Sequence, residues 1–159
     1  MFKVAIIGPE STGKSTLARY LAKRYKGTYV PEYAREYVER KGSRDISYDE
    51  LCEIARHQTD QIRSYSEAVC QAKSVYFFDT DLIVTKVWFD YAFGQVPDWL
   101  NEAIIRYPMD VYLLTYPDIP WEPDPARYNG SEEIRQELFA RYEAEIEARN
   151  IPYYIIKHC

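Results

Sequence analysis

Cysteine is scarce in the sequence, and basic residues are nowhere concentrated. Cys52, Cys70 and Cys159 are an odd number with no Cys-x-x-C pair, which excludes a disulfide framework or zinc site and predicts reduced thiols in a cytoplasmic protein. No apolar run approaches the about 18 residues of a membrane span. The first strand begins almost at once, so no signal peptide is expected ahead of it. Net charge is −5 and Lys and Arg are dispersed, whereas phosphate-backbone binding needs a basic face. Neither nucleic acid nor a membrane is therefore expected as a partner. Repeats, low-complexity tracts and linkers are also missing, and 159 residues is a one-domain length. What is abundant is tyrosine: the 16 rings suit surfaces or clefts that stack and hydrogen-bond at once, as an aromatic-ligand site would.

One motif organises the rest. Gly8-Pro9-Glu10-Ser11-Thr12-Gly13-Lys14-Ser15 fits G-x-x-x-x-G-K-[ST] at every fixed position. Val4-Ala5-Ile6-Ile7 before it reads as a buried strand. Leu17, Leu21 and Tyr25 after it lie on one helical face. Strand, loop and helix together predict a nucleoside triphosphate site. Backbone N–H groups of the loop and helix N-terminus converge on phosphate oxygens. Lys14 is expected at the β- and γ-phosphates, and the Ser15 hydroxyl at Mg²⁺. Glu10, Ser11, Thr12 and Thr16 complete the expected contacts to ATP.

The remaining pattern alternates strand and helix. Strands are predicted over 2–7, 28–30, 75–78, 111–115 and 153–156. The first helix covers 14–25, with Gly27 as its stop. Glu32-Tyr33-Ala34-Arg35-Glu36-Tyr37 begins a short helix to about Lys41. Glu32 lies just past a strand, where doubly wound folds bind ligands; the alternative is a solvated face with local ion pairs. Ser47 and Glu50 form a capping box. The helix after it runs a stripe from Leu51 through Ile54, Ala55, Gln58, Ile62, Tyr65 and Val69 to Ala72. His57 reads as a partly exposed helix residue. Asp79 ends the apolar run Val75–Phe78, where a buried strand delivers a metal-holding acid beside the phosphate loop. Asp81 faces the substrate or caps the next helix, which covers 81–92. In that helix Trp88, Phe89, Tyr91 and Phe93 form an aromatic patch, with Trp88 the candidate stacking platform. Pro117, Pro120, Pro123 and Pro125 forbid regular structure over 116–130, so this stretch is expected to be a lid. The whole predicts a three-layer α/β P-loop fold, with a five-stranded parallel sheet and helices on both faces.

A guanine-reading Asn-Lys-x-Asp segment is absent, which excludes a GTPase switch of that kind. A small-molecule kinase needs a phosphate loop, a metal acid, a base near a hydroxyl acceptor and an arginine lid. The phosphate loop, Glu32-Tyr33-Ala34-Arg35-Glu36, Asp79-Thr80-Asp81 and Trp121 through Arg127 offer one candidate for each. In order and spacing the chain resembles nicotinamide riboside kinases, and in particular the kinase domain at the C-terminal end of the bifunctional bacterial NAD-salvage regulator. The likeness covers nearly the whole chain. It implies ATP- and Mg²⁺-dependent phosphorylation of the 5′-hydroxyl of nicotinamide riboside. It also implies Lys14 and Ser15 at the nucleotide, Ser15 and Asp79 at the metal, and Glu32 or Asp81 at the ribose and its proton. Arg127 and Arg135 would clamp the transferring phosphate. Tyr33, Arg35, Trp88 and Trp121 would contact the nucleoside, whose pyridinium prefers an aromatic face. The regulator's other domains have no counterpart here. The family's final helix also lies beyond the last strand, so the sheet near strand five is expected to be under-covered, with an adenine contact either missing or supplied by a second copy of the chain. Another nucleoside kinase, or a non-catalytic sensor of ATP and a pyridine nucleotide, is the alternative reading.

Overall fold

The apolar run at the start of the chain forms the middle strand of a five-stranded parallel sheet. The computed structural model describes residues 1–10, 12–67, 74–118 and 132–157. The strands are β1 Phe2–Ile7, β2 Thr28–Val30, β3 Val75–Asp79, β4 Val111–Thr115 and β5 Tyr153–Ile156, in spatial order β2-β3-β1-β4-β5. The helices are α1 Lys14–Arg24, α2 Tyr33–Lys41, α3 Tyr48–Ser66, α4 Leu82–Phe93, α5 Asp98–Arg106 and α6 Glu132–Ala148. Val4, Ala5, Ile6 and Ile7 are all buried, as a central strand covered on both faces requires. From β1 the chain passes to the edge strand β2 and returns to β3 beside β1, then crosses to β4 and β5 on the other side. A crevice therefore opens at the carboxyl end of β1, where such sheets bind ligands.

The two sheet faces carry different loads. On one, α1 places Ala18 and Ala22 against Val4, Ile6 and Phe77. On the other, residues of α3, α4, α5 and α6 close over Ala5, Ile7, Phe78, Tyr112 and Leu114. The stripe of α3 buries Ile54, Ala55, Gln58 and Ile62 as its spacing predicts, and the capping box at Ser47 and Glu50 is formed. Val69 and Ala72 lie outside the described residues. Beside Leu113, on the α1 face, Tyr154 of β5 is 64% exposed, so this margin of the sheet is thinly covered among the described residues.

One helix stop differs from expectation. Lys26, not Gly27, takes the left-handed conformation after α1, with φ of 54°. Gly27 donates to the Ala22 carbonyl across 2.8 Å. It is small for a different reason: a Cβ there would meet the Val75 carbonyl oxygen at 2.5 Å.

Candidate active site

The phosphate loop is assembled at the carboxyl end of β1 by three local constraints. Gly13 takes φ of 80° as the N-cap of α1, a conformation glycine adopts without steric cost. Gly8 lies so close to β4 that a Cβ would overlap the Thr115 side chain. Thr115 in turn ties the loop down. Its hydroxyl meets the Thr12 hydroxyl at 2.5 Å, and the two protons of this pair are shared among that contact, the Pro9 carbonyl 2.8 Å from Thr12 and the Ile7 carbonyl 3.2 Å from Thr115. The Lys14 ammonium is buried and donates to the Pro9 carbonyl at 3.1 Å. Glu10 is also buried, and Thr16 is exposed in the first turn of α1. Ser11 lies outside the described residues.

β3 delivers its acid to this loop. Ser15 Oγ donates to Asp79 Oδ2 at 2.5 Å, and the Tyr29 hydroxyl donates to the same oxygen at 3.0 Å. Partial burial, reinforced by the Asp79 charge, pushes the Tyr29 phenol up to about 12. The other oxygen, Asp79 Oδ1, is buried with no hydrogen-bond partner among the described residues. A buried carboxylate oxygen left open in this way is a cost unless a cation or ligand satisfies it. Ser15 and Asp79 therefore fit a hard cation such as Mg²⁺ by their oxygen donors. Among the described residues no cluster of three or more His, Cys, Asp or Glu forms a metal cage, so such an ion would also depend on phosphate oxygens.

A single cavity of about 440 Å³ runs from this loop across the sheet crevice. Gly8, Glu10 and Lys14 of the loop region, Glu32 and Thr80, and Trp88, Tyr91 and Phe93 of α4 all line it. The aromatic patch of α4 is thus divided. Phe89 is fully buried core, while its neighbours line the cavity. Trp88 meets Tyr91 edge-on, ring centroids 5.6 Å apart. Arg35 lines the wall from α2 and pairs with Glu39 at 3.7 Å. Thr80 Oγ1 donates to Glu32 Oε2 at 2.9 Å.

The other expected residues sit differently. Asp81 does not line this cavity. It caps α4 through the Ile83 N–H at 3.1 Å and accepts a 2.5 Å hydrogen bond from the Tyr112 hydroxyl. Burial pushes its carboxyl up to about 6 despite those bonds. Tyr33 turns away to stack on His57, centroids 3.6 Å apart. Arg135 is fully buried in α6 and reaches Glu132 at 3.2 Å. Trp121 and Arg127 lie outside the described residues, as does most of the expected lid.

Sequence reasoning missed five contributors. Tyr29 and Thr115 hold the metal acid and the loop, and the turn residues Arg44, Asp45 and Ile46 line the cavity. Thr115 left a trace, a polar residue closing an apolar strand; the others left none.

A family model described as an AAA domain matches residues 3–159. The chain is 33% identical over 153 residues to the trifunctional NAD biosynthesis/regulator protein NadR of Escherichia coli strain K12, covering 94% of this chain and 37% of that protein. It is 31% identical over 157 residues to the NadR of Salmonella typhimurium, covering 97% and 38%. The chain therefore spans well under half the length of these curated relatives. A crystal structure of NadR in complex with NR superposes with a TM-score of 0.76 at 25% identity, covering 97% of this chain and 43% of that one. A crystal structure of NadR with NAD and AMP-PNP gives 0.79 at 26% identity, covering 99% and 44%. Deoxyadenosine kinase from M. mycoides, at 16% identity and a TM-score of 0.62, covering 98% and 90%, shares the fold. With its phosphate loop built on a parallel sheet and its sequence matched from residue 3 to residue 159, the chain belongs to the AAA-domain family and has the P-loop α/β fold.

Proposed function

We propose that this chain is an ATP-dependent kinase that phosphorylates the 5′-hydroxyl of nicotinamide riboside, giving nicotinamide mononucleotide. The observation that carries the reading is the continuity of the cavity. One space joins Lys14 of the phosphate loop, the carboxylate of Glu32 and the aromatic walls of Trp88 and Tyr91. Its volume of about 440 Å³ is in the range of small-ligand sites. NadR, whose structures carry NR or NAD with AMP-PNP, supports the choice of acceptor and donor.

ATP lies with its phosphates on the N–H groups of the loop and the N-terminus of α1. Lys14 leaves the Pro9 carbonyl to meet the β- and γ-phosphates. Ser15 and Asp79 would hold Mg²⁺, which would supply charge neutralisation at the phosphate oxygens. The acceptor's pyridinium ring lies against Trp88 and Tyr91, where a cation gains from the ring faces. That places its ribose toward Glu32. The 5′-oxygen attacks the γ-phosphorus, the bond to the ADP oxygen breaks, and Glu32 takes the hydroxyl proton. Glu32 suits this step better than Asp81, because Glu32 borders the cavity while Asp81 is occupied by Tyr112 and the start of α4. Arg127 and Trp121 are proposed for the lid, and Arg135 for the phosphate clamp. The residues of this chain read as an acceptor site and a donor site of one transfer reaction.

The test is a panel of purified nucleosides incubated with the protein, ATP and Mg²⁺, with monophosphates read by mass. Nicotinamide riboside is expected to give the fastest product. Faster turnover of a purine or pyrimidine nucleoside would reassign the acceptor.

A further inference from the structure

Thr80 is a β-branched residue with φ of 75°, a left-handed conformation such side chains rarely adopt. Backbone strain of this kind persists only where the surroundings over-determine it. Here both neighbours are pinned: Asp79 by Ser15 and Tyr29, Asp81 by Tyr112 and the Ile83 N–H. The Thr80 N–H is itself fixed by the Ile6 carbonyl at 2.9 Å. The product of the strain is a directed hydroxyl. Strand register pairs Val30 with Phe78, so Glu32 and Thr80, each two residues further on, come side by side. Thr80 then donates to Glu32 Oε2 at 2.9 Å. Glu32 is the N-cap residue of α2, yet its side chain makes no capping bond. Its carboxylate is turned toward β3 and the cavity instead.

We propose that Thr80 is a positioning residue, whose hydroxyl holds the Glu32 carboxylate in the cavity at the acceptor hydroxyl. Because Thr80 directly follows Asp79 in the chain, one hydrogen bond and one peptide link join the acceptor base to the metal-holding acid. The inference rests on the kinase reading above, in which Glu32 takes the proton. Loss of this contact removes one of the bonds that orient the carboxylate, so it meets the acceptor hydroxyl less often.

Thr80→Gly and Thr80→Ser test this, with kcat, both KM values and the melting temperature measured for each full chain. Glycine takes a positive φ without strain, so Thr80→Gly keeps the fold while removing the hydroxyl. The expected result is a kcat lower by roughly tenfold, an ATP KM within about twofold of wild type, and a melting temperature at or above it. Thr80→Ser restores the donor and is expected to keep kcat within about threefold. A wild-type kcat in Thr80→Gly, or a Thr80→Ser protein as slow as Thr80→Gly, overturns the assignment. Wild-type protein that phosphorylates no nucleoside overturns the kinase reading and this inference together, and that arm separates the two failures.

Discussion

Ser15 and Asp79 meet across 2.5 Å although 64 residues separate them. Their contact joins the loop after β1 to the end of β3, and it leaves Asp79 Oδ1 buried without a partner among the described residues. An Asp79→Asn substitution keeps the shape and removes the charge that a divalent cation needs. Titrating Mg²⁺ against transfer rate is expected to show a half-saturating concentration raised by at least about tenfold, with kcat also reduced. An unchanged Mg²⁺ dependence would place the ion elsewhere.

Lys14 is the expected cation for the transferring phosphate, and it donates a hydrogen bond inside its own loop, to the Pro9 carbonyl. Lys14→Ala removes transition-state charge stabilisation, so kcat/KM is expected to fall by about 100-fold or more. Circular dichroism and a melting curve close to wild type check that the fold survives. Retained turnover in a folded Lys14→Ala protein contradicts the donor-site assignment.

Glu32 and Asp81 make opposite predictions. Glu32→Gln removes the proposed base and is expected to lower kcat by about 100-fold or more with little loss of stability. Tyr112→Phe instead removes a donor from the buried Asp81 carboxylate. It is expected to cost about 1–3 kcal/mol in a denaturant titration, while folded protein keeps most of its activity. A large kcat loss from Tyr112→Phe with unchanged stability would return Asp81 to the chemistry.

α2 buries no residue, although it supplies Ala34, Arg35 and Val38 to the cavity wall. Polar contacts hold it to α3: Lys41 pairs with Glu50 at 2.7 Å, and Tyr37 reaches Glu50 and Glu53. The Lys41 bond, with the Ser47 N–H, holds the Glu50 carboxyl down at about 2. A carboxyl with a depressed folded-state pKa stabilises the fold above its unfolded value, about 4.3, and that gain is lost as pH falls toward 2. Glu50→Gln is expected to lower the melting temperature at pH 7 and to flatten its decline between about pH 4 and pH 2. An identical acid decline in both proteins would show that this contact does not contribute.

The strands and the loop were legible because periodicity and glycine placement report local backbone needs, whereas the strand order came from the structure alone. Asp79 was legible for the same reason, an acid closing a continuous apolar strand. The role of Asp81 was not: cap and base require the same residue type, and only the approach of Tyr112 from β4 separates them. Thr80 left no mark at all, since a threonine with positive φ looks like any other in sequence. The division of the α4 aromatics also needed packing, because Phe89 and Trp88 differ by one position and point to core and cavity.

The most direct test of the central claim is a stoichiometry. Wild-type protein is mixed with ATP, Mg²⁺ and nicotinamide riboside, and ADP and nicotinamide mononucleotide are quantified together over time. A kinase built as described forms the two in equal amounts and releases almost no ADP when the nucleoside is omitted. ADP without nicotinamide mononucleotide would make the protein an ATPase, and tight nucleotide binding with neither product would make it a sensor; either result contradicts the account.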